Sequence, residues 1–191
     1  TNPLDVMTYL AWKKSGFDSK RVLGMAGILD AARYAYFLSL ELKIPPTEIE
    51  ALVLGGHGDL MVPVPEFSKV RGKPVTDLLS REQIEAINQK TRDGGIEIVY
   101  LLKTGSAYYA PSAAVVTMVE AILSDSGRIL PCSAYLDGEY GIRKVYCGVP
   151  VRLGRQGVRG VLELGLPPER QAALEHSGDS IAEQIAKLSL Q

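Results

Sequence analysis

Three apolar segments late in the chain, "RILPCSAYL", "KVYCGVPVRLG" and "VRGVLELGL", most constrain what it can fold into. Each reads as a strand, and glycine-rich turns join one to the next, so the spacing predicts an antiparallel meander. "GRQGVRG" at 154–160 lies between two of these strands and reads as a hairpin turn. Apolar positions at helical spacing predict helices over about 3–16, 27–43, 81–102, 111–125 and 167–188. Gly94-Gly95 weakens the third of these. A short β-like run at 51–54 precedes the extended, proline-punctuated "MVPVPEFSKV". Without a repeat, linker or low-complexity tract, the expected fold class is α+β: one domain over 1–191, with long helices packed on an antiparallel sheet. The abrupt helix at "TNPLD" is expected of a piece cut from a longer chain.

Composition narrows the function classes. Hydrophobic residues at 46% against 23% charged suffice for a real core, and a formal net charge of -1 gives no footprint for nucleic acid or an anionic membrane. Any anionic substrate must meet locally placed cations. No apolar run reaches membrane-spanning length and no signal-peptide pattern opens the sequence. Cys132 and Cys147, in strand-like surroundings and without zinc-ligand spacing, read as buried reduced thiols of a cytoplasmic protein, and no metal site is expected. There is no Gly-x-Gly-x-x-Gly turn, no phosphate loop and no nucleophile elbow.

What stands out is "LGGHGDLMVP", where Gly55, Gly56 and Gly58 frame His57 just past a strand end. Glycine loses more conformational freedom on folding than any other residue, so something at this turn needs backbone room. An imidazole can take or give a proton near neutral pH, and a carboxylate at its other nitrogen fixes the tautomer. Two acids offer themselves: Asp59 in the same turn, and Asp30 if the fold brings it near. In "LDAAR", Asp30 and Arg33 stand three apart on a helix and reach one surface, although an exposed pair at a helix start is the commoner role of that pattern. Asn2 of "TNPLD" can bond a ligand or simply its own turn. His176 on the last helix reads as solvent-facing.

Taken in order, "TNPLDVMTYLAWKKSGF", "GILDAARYAYFL", "LGGHGDLMVP" and "LLKTGSAYYAPSAA" resemble the C-terminal half of the lactate/malate dehydrogenase family. The resemblance covers the whole chain and is closest to the malate dehydrogenases that are lactate-dehydrogenase-like in sequence. It implies that the family's N-terminal Rossmann half, which carries most of the NAD site, is absent from these residues. It further implies that His57 is the general acid/base, that Asp30 holds its tautomer, and that Arg33 clamps a substrate carboxylate as a bidentate pair. Asn2 would bond the reacting oxygen, and Asn2 with His57 would face the nicotinamide. Small residues Ser106 and Ala107 would line the far end of the substrate, favouring malate/oxaloacetate. An L-lactate dehydrogenase acting on lactate/pyruvate is the runner-up. The resemblance also implies a homodimer or homotetramer in tricarboxylic acid metabolism, with segments 3–16, 81–102 and 167–188 as self-association surfaces or simply core. A non-catalytic oligomerisation domain is the alternative of another class.

Overall fold

Segment 143–154 becomes the axis of the computed structural model, which describes residues 2–188. Strand β7 (Arg143–Gly154) pairs antiparallel with β6 (Ile129–Asp137) along one edge, placing Cys132 opposite Val149 and Ala134 opposite Cys147. Its other edge is shared by β8 (Gly157–Val161) and β2 (Val53–Gly55). Residues 145–151 are all buried, as expected of a central strand covered on both faces. The expected meander is present, with Arg155-Gln156 as the hairpin turn between Gly154 and Gly157.

Two features of the sheet differ from the sequence reading. Strand β8 stops at Val161 instead of running on to 166, because the Tyr140 hydroxyl takes over the backbone there: it donates to the Leu162 carbonyl at 2.7 Å and accepts the Leu164 N–H at 3.0 Å. The hairpin of β2 and β3 (Met61–Pro63) also joins the meander, giving a five-stranded sheet of order β3-β2-β7-β6 with β8 beside β7. Glycines permit that junction. Gly55 has φ +80°, and a Cβ on Gly148 would run into the Gly55 carbonyl. A separate small sheet of order β1-β4-β5 is formed by β1 (Ile49–Glu50), β4 (Lys69–Val70) and β5 (Lys73–Pro74).

Among the described residues five α-helices cover these sheets: α1 (Leu4–Ser15), α2 (Gly27–Leu42), α3 (Arg81–Leu102), α4 (Tyr109–Leu123) and α5 (Pro168–Ala186). Gly16 ends α1 in the left-handed conformation, and Ser80 with Gln83 forms a capping box that starts α3. Helix α3 runs unbroken through Gly94-Gly95, and α4 begins at Tyr109, before the expected Pro111. The larger core cluster packs Val6, Met118, Leu174 and Ile181 of α1, α4 and α5 against sheet residues such as Leu136, Cys147 and Val149. A second cluster sets Tyr34 and Leu38 of α2 against Ile84 and Ile87 of α3 and Val70 of the small sheet. Ile28 of α2 touches the first cluster as well, so this helix is held from both sides.

Exposed apolar surface gathers on the second half of α3 and on α4, at Ile96, Tyr100, Leu101, Tyr109 and Leu123. Of the three segments expected to offer such surface, only 81–102 does so to this extent. Both cysteines are buried and free; loss of solvent pushes the Cys132 thiol up to about 12 and raises that of Cys147 as well. Among the described residues no helix is long and apolar enough to cross a membrane.

Candidate functional site

The first turn of α2 supplies the site's buried charge. Gly27 lies so close to Pro131 that a Cβ there would strike the Pro131 carbonyl, which seats the helix start directly on β6. One turn in, Asp30 is 2% exposed, at a helix end where the peptide dipoles favour an acid. A buried carboxylate costs several kcal/mol unless partners replace its lost water, roughly as for any desolvated ion. Asp30 has two: His57 Nδ1 at 2.9 Å from its Oδ2, and Arg33 Nη1 at 3.4 Å from its Oδ1. The three residues form one chain of charge and hydrogen bonds.

The turn after β2 brings His57 to this pair. Gly55 and Gly58 take φ of +80° and +89°, and Gly56 is packed so tightly that a Cβ would sit 3.1 Å from Ile181 Cδ1 and 3.3 Å from Asp5 Oδ2. The room that the glycines provide is thus used first to seat the turn on α1 and α5. Two consecutive amides fix it there: Gly56 N–H donates to Ser177 Oγ at 2.7 Å, and His57 N–H donates to Asp5 Oδ2 at 3.0 Å. The Asp30 hydrogen bond holds the His57 imidazole above its ordinary pKa, outweighing the opposing desolvation and the nearby Arg33 cation. With Nδ1 given to the carboxylate, Nε2 is the nitrogen available for proton exchange.

His57 opens on a cleft of about 560 Å³. Asn2, Arg33, Ser106 and Ala107 line it as well, so the candidate residues from four separate motifs meet at one place, with Asp30 buried behind His57. Leu4, Met25, Leu29, Ile96 and Val99 supply apolar wall. Asp59 sits exposed at the rim while Asp30, not Asp59, takes Nδ1. His176 is exposed on α5, away from the cleft lining, as read from sequence. Among the described residues no cluster of side chains is arranged to hold a metal ion.

Three site residues escaped the sequence reading. Asp5 looks like an ordinary first-turn acid in sequence, yet it is 4% exposed and its Oδ1 also accepts the Ser133 hydroxyl at 2.6 Å. Burial raises its pKa, against the pull of its Ser133 and His57 hydrogen bonds. Ser177 had no signal beyond lying on the buried side of α5. Arg92, one turn before Gly95 on α3, is a second cation on the cleft lining, with Nη1 3.3 Å from Glu85 Oε1. A carboxylate anchor, an oriented imidazole and an apolar wall suit proton exchange with a small oxygen-bearing anion.

Comparison with known proteins follows the same lines. The family described as "lactate/malate dehydrogenase, alpha/beta C-terminal domain" matches residues 28–189. The chain is 55% identical over 187 residues to malate dehydrogenase of Roseiflexus sp. (strain RS-1), covering 98% of this chain and 60% of that protein. Among solved structures, malate dehydrogenase from Salinibacter ruber superposes with TM-score 0.93 at 48% identity, covering 97% of this chain and 60% of the other. Malate dehydrogenase from Plasmodium falciparum in complex with NADH does so with TM-score 0.93 at 34% identity, over 97% and 63%. The chain therefore spans about 60% of the length of the curated relatives it matches.

Proposed function

The chain belongs to the lactate/malate dehydrogenase family as its alpha/beta C-terminal domain, and from that premise we propose that it is the substrate-binding and acid/base half of an NAD-dependent malate dehydrogenase. The observation that carries the reading is the Asp30–His57 pair at 2.9 Å, with Arg33 on the same carboxylate and on the same cleft. The fragment would be residues 1–191 of a catalytic domain completed by an N-terminal Rossmann half. The 97–98% coverage of this chain against 60% of its relatives supports that division.

In this mechanism Arg33 binds the carboxylate next to the reacting carbon through a two-pronged, charge-assisted contact. Asn2 donates to the substrate oxygen, and His57 Nε2 takes the hydroxyl proton as (S)-malate becomes oxaloacetate. Asp30 keeps the proton-bearing Nδ1 in place and stabilises the imidazolium that results. In the reverse direction the protonated ring returns the proton to the keto oxygen. Its raised pKa favours the charged form that binds a keto acid. Asn2 and His57, beside the apolar wall of Leu4, Met25 and Val99, are the residues here that fit a nicotinamide ring. NAD bound there supplies the hydride acceptor, and the rest of the nucleotide belongs to the other half.

Ser106 and Ala107 are small and line the cleft; set against the substrate's far end they would leave room for a second carboxylate, which supports malate over lactate. The apolar surface of α3 and α4 suits burial against the Rossmann half or a second copy, in line with a homodimer or homotetramer. Cytoplasmic residence is part of the same reading. The test is NADH oxidation by the full-length enzyme with oxaloacetate and pyruvate side by side, and with His57→Asn as control. Oxaloacetate turnover lost in the variant is expected. Preferential pyruvate turnover transfers the substrate to lactate chemistry, and no turnover of either sinks the dehydrogenase reading.

A further inference from the structure

The proposed mechanism uses Asp30 to orient the imidazole ring, but a ring is placed only as well as the backbone that carries it. That backbone belongs to a turn with two positive-φ glycines, which gives it little stiffness of its own. We infer that Asp5 is a positioning residue for His57, fixing its main chain while Asp30 fixes its ring. The inference rests on the catalytic reading of His57.

The contacts around Asp5 form a closed circuit. Its Oδ2 accepts the His57 N–H at 3.0 Å, and its Oδ1 accepts the Ser133 hydroxyl at 2.6 Å. Ser133 is itself fixed by a pair of backbone hydrogen bonds with Gly24, both 2.9 Å. Gly24 is crowded against it, since a Cβ there would meet the Ser133 side chain. Three residues beyond Gly24 begins α2, which carries Asp30, and Asp30 returns to His57 at Nδ1. His57 is thereby tied through both its ring and its amide to one rigid assembly of α1, β6 and α2.

Chemical choice supports the same role. Simple capping of a helix start calls for an exposed acid or a neutral oxygen, whereas Asp5 is 4% exposed and bears a desolvation cost. Its two oxygens face two donors, and bonds to a carboxylate are shorter and stronger than neutral ones. Asp5 also stands three residues from Asn2 at the start of α1, so the contact that seats His57 also sets the segment carrying the second cleft residue. A misplacement of about 1 Å at a reacting group costs on the order of 100-fold in rate, so this anchorage bears directly on turnover.

The experiment uses the full-length enzyme with Asp5→Ala and Asp5→Asn, read by kcat and KM for oxaloacetate and by hydrogen exchange of the His57 amide. Alanine removes both acceptors; asparagine keeps an oxygen for the His57 N–H and can donate to Ser133. Asp5→Ala is expected to lower kcat about tenfold or more, with a smaller change in KM and faster exchange of the amide, as geometric misplacement requires. Asp5→Asn is expected to restore kcat to within about threefold of the parent, because it rebuilds the contacts that set the geometry. Wild-type kcat and amide protection in Asp5→Ala, or an Asp5→Asn enzyme as slow as Asp5→Ala, overturns the inference. If alanine prevents folding, Ser133→Ala provides a milder loosening. A fall in kcat with faster exchange then supports the anchor, and parent values for both overturn it. Failure of the catalytic reading shows separately, as a parent enzyme that turns over neither oxaloacetate nor pyruvate, while amide exchange still reports on the anchor.

Discussion

Asp30 serves two neighbours with one carboxylate, and this makes it the most informative single substitution. Asparagine at 30 keeps the size and one acceptor oxygen but removes the charge that holds the His57 pKa up. What remains around the ring is burial and the Arg33 cation, both of which lower the pKa, with Asp5 as the opposing charge that is left. The His57 midpoint is therefore expected to fall below its ordinary value of 6.5 in Asp30→Asn. In the proposed mechanism keto-acid reduction needs the protonated ring, so its pH profile would move in the acid direction. Loss of the tautomer lock should also reduce kcat by roughly 10²–10⁴. Titrating the histidine by NMR beside a pH–rate profile checks both, and an unmoved midpoint would remove Asp30 from the mechanism.

At the scale of elements, α3 shows what a local rule can and cannot say. The sequence shows Gly94-Gly95 as a weak point in a long helix, and the structure shows what lies against them: Gly94 packs on Phe37 and the Arg33 Cδ, and Gly95 on the Arg33 guanidinium. A Cβ on Gly95 would sit 3.5 Å from the Arg33 Nη1, in ordinary contact, so a branched side chain built on it is set directly against the guanidinium. Gly95→Ala is expected to raise stability by about 0.5–1 kcal/mol through helix propensity, with KM for oxaloacetate little changed. Gly95→Leu is expected to raise that KM at least tenfold by displacing Arg33, the loss of a strong charged contact. Equal KM values for the two variants would mean that Arg33 does not meet the substrate carboxylate. Helices α1, α2, α3 and α5 were legible because each carries its period, breaker or cap within its own residues. The joining of the β2–β3 hairpin to β7 was not, since Gly55 and Gly148, 93 positions apart in sequence, meet only after packing. The same division runs through the site. His57 stood out by its glycine frame, while Asp30, Arg33 and Asn2 were marked as candidates through four ordered motifs taken together, since each alone fits a helix-start pair or a turn; Asp5 and Ser177 acquire meaning only when α1 and α5 close on the turn.

For the molecule as a whole, Asp5 and His57 shape how stability depends on pH up to the range where the raised, buried Cys132 and Cys147 thiols add to it. Folded Asp5 and folded His57 both hold their protons to higher pH than they would in the unfolded chain, whose ordinary values are 3.8 and 6.5. The native state thus binds more protons than the unfolded state above each of those values, and the slope of stability against pH is negative there. The Asp5 contribution is fully present below pH 3.8 and is lost as pH rises through its folded value; that of His57 is present below 6.5 and lost through its own. Glu48, Glu82 and Asp125 are shifted the other way, but as exposed groups they contribute little. Denaturant unfolding of the folded protein should therefore show stability declining as pH is raised from 6.5 into the alkaline range. His57→Asn should flatten the part of that decline nearest neutrality and leave the part above pH 9, where the raised Cys132 and Cys147 thiols act in the same direction. Asp5→Asn should be at least as stable as the parent at pH 7, because it sheds the cost of a buried charge, keeps the acceptor for the His57 N–H and donates to the Ser133 hydroxyl where Asp5 accepted from it. A parent whose stability rises over the same range, or an Asp5→Asn protein weaker at pH 7, would mean that the centre of the fold is held by the charge on Asp5 and not by its geometry.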